Sequence, residues 1–181
     1  MEITDAIAEG LLRSVMHYAE VLHADPQNLE ARAEVMWASS LAHNGLTGCG
    51  NDGGDFSTHM LEHEMGGMFG VTHGAGLAAI WGSWARYVYR DCLPRFVRYA
   101  RNVMQVSGNT DEETALAGIE AMENFYRRIG MPTNMRELGI EPTDAEIREM
   151  AESCARACGG KKGSARVLFV DDMEKIYTMA R

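Results

Sequence analysis

Three of the six histidines fall in one stretch: Asp55-Phe-Ser-Thr-His59-Met-Leu-Glu-His63-Glu, then Gly66, Gly67 and Gly70, then Val71-Thr-His73-Gly-Ala-Gly76. His59 and His63 are four positions apart, so a helix stacks their side chains on one face. The glycines let the chain turn back and bring His73 alongside. Neutral imidazole is the commonest nitrogen ligand of zinc and iron, and catalytic sites hold the ion with about three protein ligands while keeping a position open. His59, His63 and His73 therefore offer two or three ligands of a metal corner. Hydrogen-bonded histidines beside a loop satisfy the same spacing. The glycines around His73 favour the metal reading, because they permit close approach of backbone to an ion or cofactor.

A second reading comes from His59-Met-Leu-Glu62-His63, which fits the His-x-x-Glu-His pattern of inverted zinc peptidases, where two histidines bind zinc and the glutamate activates water. Such a site needs a further carboxylate ligand in a mixed α/β setting, and the periodicity here is helical. Cys154-Ala-Arg-Ala-Cys158 puts two sulfurs on one helix face, but a zinc site needs about four ligands and no second pair accompanies it. The four cysteines read as reduced thiols, these two as small side chains on a packing face. His17, His23 and His43 have no partner in sequence and read as surface or capping residues.

The elements that must position the histidine corner are helices. Ile7, Leu11, Leu12, Val15, Met16, Ala19 and Leu22 recur at three and four, predicting a helix from Thr4, as its cap, to about His23, closed by Asp25-Pro26. A second helix is predicted from about Asn28 to Ala42, stopping at Asn44-Gly45, then a glycine-rich loop from Gly48 to Gly54. The histidine helix follows from about Ser57 to Gly66, and an apolar segment from Leu77 to Tyr89. Leu93 to about Gln105 reads as a helix with Pro94 in its first turn and Arg95, Arg98 and Arg101 on its outer face. Thr110-Asp-Glu-Glu113 and Thr143-Asp-Ala-Glu146 have capping-box spacing and open helices reaching Ile129 and Cys158. Asp171 or Asp172 caps a last helix to Ala180, and Arg166-Val-Leu-Phe-Val170 is too short and isolated to count as a strand. The expectation is one all-α domain over residues 1–181, a multi-helix bundle of seven or eight helices.

Composition excludes several classes. At 46% hydrophobic and 24% charged residues the chain is ordinary for a globular domain, and a net charge of −9 argues against nucleic-acid or anionic-membrane partners. No apolar run approaches the ~20 residues that span a bilayer, and Glu2, Asp5 and Glu9 do not suit a signal peptide, so a cytoplasmic location is the expectation.

Beyond spacing, Asp5-Ala-Ile-Ala-Glu-Gly-Leu-Leu12, Ala31-Arg32, Met36-Trp37-Ala38, Asn44-Gly45-Leu46, Thr58-His59-Met-Leu-Glu-His63-Glu64, His73-Gly-Ala-Gly-Leu-Ala78 and Gly130-Met-Pro-Thr133 resemble the iron-containing alcohol dehydrogenases, in particular their NAD(P)H-dependent butanol dehydrogenase branch. The paired motif Thr-His-x-x-x-His and His-Gly-x-Gly is specific, and the resemblance runs the length of the chain. It implies the C-terminal helical, metal-binding domain of the dehydroquinate synthase-like type, with the N-terminal dinucleotide-binding domain absent from this chain. By the same resemblance His59 and His73 are two of four ligands of Fe2+ or Zn2+. The other two, an aspartate and a histidine, would lie upstream of Met1. His63 matches a residue beside the nicotinamide and substrate that serves in proton transfer. The implied reaction interconverts small primary alcohols and aldehydes with NAD(H) or NADP(H), the metal polarising the substrate oxygen. The implied partners are a nucleotide-binding domain or further copies of the chain. Alone, the chain is expected to be inactive. A split-enzyme or helical interaction subunit without its own catalysis is the alternative.

Overall fold

The computed structural model describes residues 1–50 and 54–181, and among these it contains nine α-helices and no strand. Helices α1 (Glu2–Ala24) and α2 (Leu29–His43) form a hairpin across Asp25-Pro26. Asn28 caps α2 by accepting the Ala31 N–H at 2.9 Å, and Gly45, at φ 89°, leads out of it into a 3-10 turn at Leu46–Gly48. The expected Gly48–Gly54 loop thus begins at the end of that turn, and its positions 51–53 lie outside the described residues. Thr4 is not a cap. The helix starts two residues earlier, and the buried Thr4 hydroxyl instead donates to the Cys49 carbonyl at 2.8 Å, tying α1 to the end of that turn.

Helices α3 (Ser57–Phe69) and α4 (His73–Val88) carry the histidines. Helix α5 (Leu93–Tyr99) does not continue unbroken to Gln105. It passes into a π-helical turn at Ala100–Met104, which Gln105 ends in a left-handed conformation at φ 57°. Helix α6 (Asp111–Arg128) opens with Thr110 accepting from Glu113 N–H, while the Glu113 carboxylate reaches Asn109 N–H rather than closing the box on Thr110. A four-residue helix, α7 (Met135–Leu138), had no periodicity to announce it. Helix α8 (Asp144–Ala157) has the complete Thr143/Glu146 capping box, and α9 (Val170–Ala180) opens with the Asp172 carboxylate accepting the Phe169 N–H at 3.0 Å. The 162–168 loop contributes one isolated bridge, Lys162 to Leu168.

The apolar core is built from α3 to α9, around Leu61, Met65, Ile80, Ile119, Met135, Met150, Ile176 and Tyr177. Cys154 is fully buried there and Cys158 packs against it, as a packing face requires, and all four cysteines are free thiols. The α1–α2 hairpin supplies no residue to this cluster. It is fastened largely by charge. Arg95 grips Asp5 through two bonds of 2.7 Å, Arg98 grips Glu2 at 2.7 and 2.8 Å and also bonds Glu9, and Asn102 adds a bond to Glu9 at 3.1 Å. Arg95 and Arg98 are therefore not a free outer face, because α1 lies across them. The Arg95 bond pulls the Asp5 carboxyl down to about 2, against the opposing effect of burial. Helix α2 leaves Leu29, Met36 and Trp37 exposed at 81, 72 and 62%.

Fastening by ion pairs at the surface, with Arg95 and Glu2 exposed and Asp5, Glu9 and Arg98 half-buried, is weak pair by pair and screened by salt. Amide exchange along α1 and α2 should therefore accelerate several-fold between low and molar salt and in Arg98→Ala, while α8 and α9 stay protected. Uniform exchange across all helices would contradict this division.

Candidate metal centre

The corner is built from a carboxylate at the start of α3. Asp55 accepts the Ser57 N–H at 2.9 Å through one oxygen, and the Ser164 and Ala165 N–H groups at 2.7 and 2.8 Å through the other. One side chain thus closes the first turn of α3 and ties it to the 162–168 loop. Burial alone would raise the Asp55 pKa, but the hydrogen bonds from Ser57, Ala165 and Ser164 outweigh it and hold the carboxyl below its ordinary value. Phe56 turns the chain into the helix with φ 55°, and its ring lies 5.3 Å from that of His59.

Helix α3 runs about one turn beyond its expected end at Gly66, taking in Gly67, Met68 and Phe69, and stops at Gly70. The left-handed conformation there, φ 68°, suits a residue without a side chain, and the Gly70 N–H closes on the Gly66 carbonyl at 2.9 Å. Only Val71 and Thr72 intervene before α4, which begins at His73 rather than at Leu77. His73 is therefore a first-turn helical residue. The three imidazoles converge: ring centroids lie 5.3 Å apart for His59 and His73, 5.5 Å for His63 and His73, and 6.5 Å for His59 and His63. His59 is half-buried, and His63 and His73 are exposed, so one side of the group is open. Burial first, then the neighbouring His73 and His63 rings, lower the His59 pKa, which favours the neutral, metal-ligating form.

Behind the rings lies Glu62, 1% exposed, whose Oε2 is in hydrogen-bond contact with His73 Nδ1. Donor atoms of Glu62, His63 and His73 all lie within 4.8 Å of one another. Gly76, one turn into α4, makes room for this carboxylate: a Cβ there would sit 2.7 Å from Glu62 Cγ and Oε1. The sequence pattern singled out Glu62 only as a water activator in the peptidase reading. Its available signal was the pairing of a mid-helix glutamate with small residues on the facing helix. Asp55 was missed as a structural residue, although Asp-x-Ser before a helix is an Asx-type turn signal. His17 and His23 are exposed and remote in sequence from the corner, while His43, also exposed, lies near enough for its charge to add to those lowering the His59 pKa.

The arrangement defines a helical domain with a histidine-rich corner, able to offer ligands to a metal ion, at the junction of two helices. Its sequence matches the Fe-containing alcohol dehydrogenase family, C-terminal, over residues 1–181, and the chain belongs to that family. The NADH-dependent butanol dehydrogenase A of Clostridium acetobutylicum is 37% identical over 177 residues, covering 97% of this chain and 45% of that protein. The NADPH-dependent aldehyde reductase YqhD of Escherichia coli is 31% identical over 185 residues, covering 99% and 46%. The crystal structure of NADH-dependent butanol dehydrogenase A from Thermotoga maritima superposes with a TM-score of 0.91 at 32% identity, covering 99% of this chain and 46% of that one. The chain thus spans about half the length of the curated relatives it matches. The all-α expectation holds, and the helical domain has the fold of this family's C-terminal part.

Removing the Asp55 carboxylate in Asp55→Ala should cost about 1–3 kcal/mol in urea unfolding, the range for charge-assisted bonds to backbone N–H groups. Because its pKa is depressed in the fold, this contribution is complete above the ordinary carboxylate range near ~4 and lost as pH falls through the folded value. The wild-type and variant stabilities should then converge in acid, and a pH-independent difference would contradict the assignment.

Proposed function

We propose that this chain is the helical, metal-binding part of an NAD(P)-dependent dehydrogenase that interconverts small primary alcohols and aldehydes. The convergence of His59, His63 and His73 on one open face, in a chain of this family, carries the reading. His59 and His73 would hold a divalent iron or zinc ion together with donors from outside this chain, and a cluster of imidazoles with a neutral His59 fits such an ion. When bound there, the ion supplies Lewis acidity that polarises an alcohol or aldehyde oxygen.

The chain's own residues do the rest of the local work. His63 stands on the exposed side of the group, in the next turn of α3 after His59, where an imidazole suits passing the hydroxyl proton to solvent at near-neutral pH and lying beside the nicotinamide. NAD(H) or NADP(H) would be held mainly by a separate nucleotide-binding domain, in one longer polypeptide or in a partner chain, and the assembled enzyme would be a homo-oligomer or such a pairing. The chain alone would then lack dehydrogenase activity. The His-x-x-Glu-His hydrolase alternative asks Glu62 to activate water, and its burial against His73 counts against that role.

Calorimetric titration of the purified chain with cobalt or zinc tests the ligand assignment. His59→Ala and His73→Ala should each weaken binding about tenfold or more, and His63→Ala should leave it nearly unchanged. In an enzyme completed with its nucleotide-binding domain, His63→Ala should lower turnover about 10²-fold or more at unaltered metal content. Parallel loss of metal and turnover would make His63 a ligand instead. Hydride transfer from butanol to NAD+ or NADP+ by the metal-supplied chain alone would overturn the claim of dependence on a second domain.

A further inference from the structure

We propose that Glu62 is a positioning residue: its carboxylate accepts the Nδ1–H of His73 and so turns the unprotonated Nε2 of that ring toward the metal. The proposal rests on the metal reading above and adds to it the residue that selects which nitrogen of His73 binds.

A neutral imidazole carries its proton on one nitrogen, and the partner of one nitrogen decides the state of the other. A carboxylate only accepts hydrogen bonds, so its contact with His73 Nδ1 places the proton there and leaves the Nε2 lone pair free. Carboxylate–histidine–metal arrangements of this kind fix both tautomer and ring orientation and strengthen the ligand.

Three observations separate Glu62 from an incidental surface contact. It is 1% exposed, while the His73 side chain it touches is half exposed, so the carboxylate approaches the ring from the protein side and the open side remains for an ion. The space it fills exists only because position 76 has no side chain, and a Cβ added at Gly66 would likewise lie 3.4 Å from its Oε1. The backbone that carries it is pinned: the fully buried Tyr177 hydroxyl donates to the carbonyl of the preceding residue, Leu61, at 2.7 Å. Glu62 is also near enough to His63 to be considered a ligand itself, but a buried carboxylate needs the partner it has, and direct ligation would take it from His73.

Long-range 1H–15N NMR of the purified chain reads the tautomer with no metal present. At pH 8, His73 should carry its proton on Nδ1, and a proton on Nε2 overturns the proposal. Loaded with zinc, His73 should keep Nδ1–H while Nε2 moves to a metal-bound shift. Metal on Nδ1, with Glu62 released as a ligand, also overturns it. Glu62→Met keeps the volume and removes the acceptor. With the fold verified by circular dichroism, it should weaken cobalt binding about 10–100-fold in the wild-type background and add little in His73→Ala. Unchanged binding in Glu62→Met, or an equal further loss in the double variant, contradicts positioning through His73. If the variant does not fold, the wild-type tautomer and zinc shifts decide the matter. An enzyme completed with its nucleotide-binding domain that takes up neither cobalt nor zinc overturns the metal reading itself and leaves Glu62 without the role assigned here, an outcome distinct from the wrong tautomer.

Discussion

Glu62 places a carboxyl group between α3 and α4, out of reach of water, and a group of that kind persists in a helical core only when something bonds to it. His73 is that partner, which requires α4 to begin at His73, directly after the two-residue link Val71-Thr72. The short link in turn requires the left-handed Gly70, and the close approach of the two helices requires Gly76. The convergence of three imidazoles is a consequence of this seam as much as of their own spacing.

The surrounding structure holds the seam from two sides by different means. Helices α8 and α9 pack on it with buried apolar side chains and one internal hydrogen bond from Tyr177, an interaction little affected by salt. The loop after α8 returns to the start of α3 and is gripped by Asp55. The α1–α2 hairpin stands apart, joined largely through arginine–carboxylate pairs, with large apolar side chains of α2 left in water. The rigid part of the molecule is therefore the part that carries the histidines.

Helix positions were legible where periodicity and capping residues agreed, as at Asn28 and at the Thr143/Glu146 box. They were misjudged where a tertiary contact outweighed the local signal. Thr4 looks like a cap but is drawn inward to Cys49, and the arginines of α5 look like a solvent face but meet acidic side chains from α1. The π turn after α5 and the four-residue α7 carry too few residues to show a period. At the corner, His59, His63 and His73 were visible from type and spacing. Glu62 was visible only as a water activator of the peptidase pattern, because its place beside His73 depends on which residue of α4 faces it, and spacing along α3 does not contain that information.

The proposal that His59 and His73 are the chain's two metal ligands, with His63 beside them for proton transfer, rests on the family and on the proximity of the three rings, whereas the donor atoms that lie within 4.8 Å of one another are those of Glu62, His63 and His73. The most direct test is a crystal structure of the chain soaked in zinc, with data collected on both sides of the zinc absorption edge. The account predicts an anomalous peak within ligand distance, about 2.0–2.1 Å, of Nε2 of both His59 and His73, with Glu62 still bonded to His73 Nδ1. A peak seated instead among Glu62, His63 and His73, or none at the corner, would contradict it.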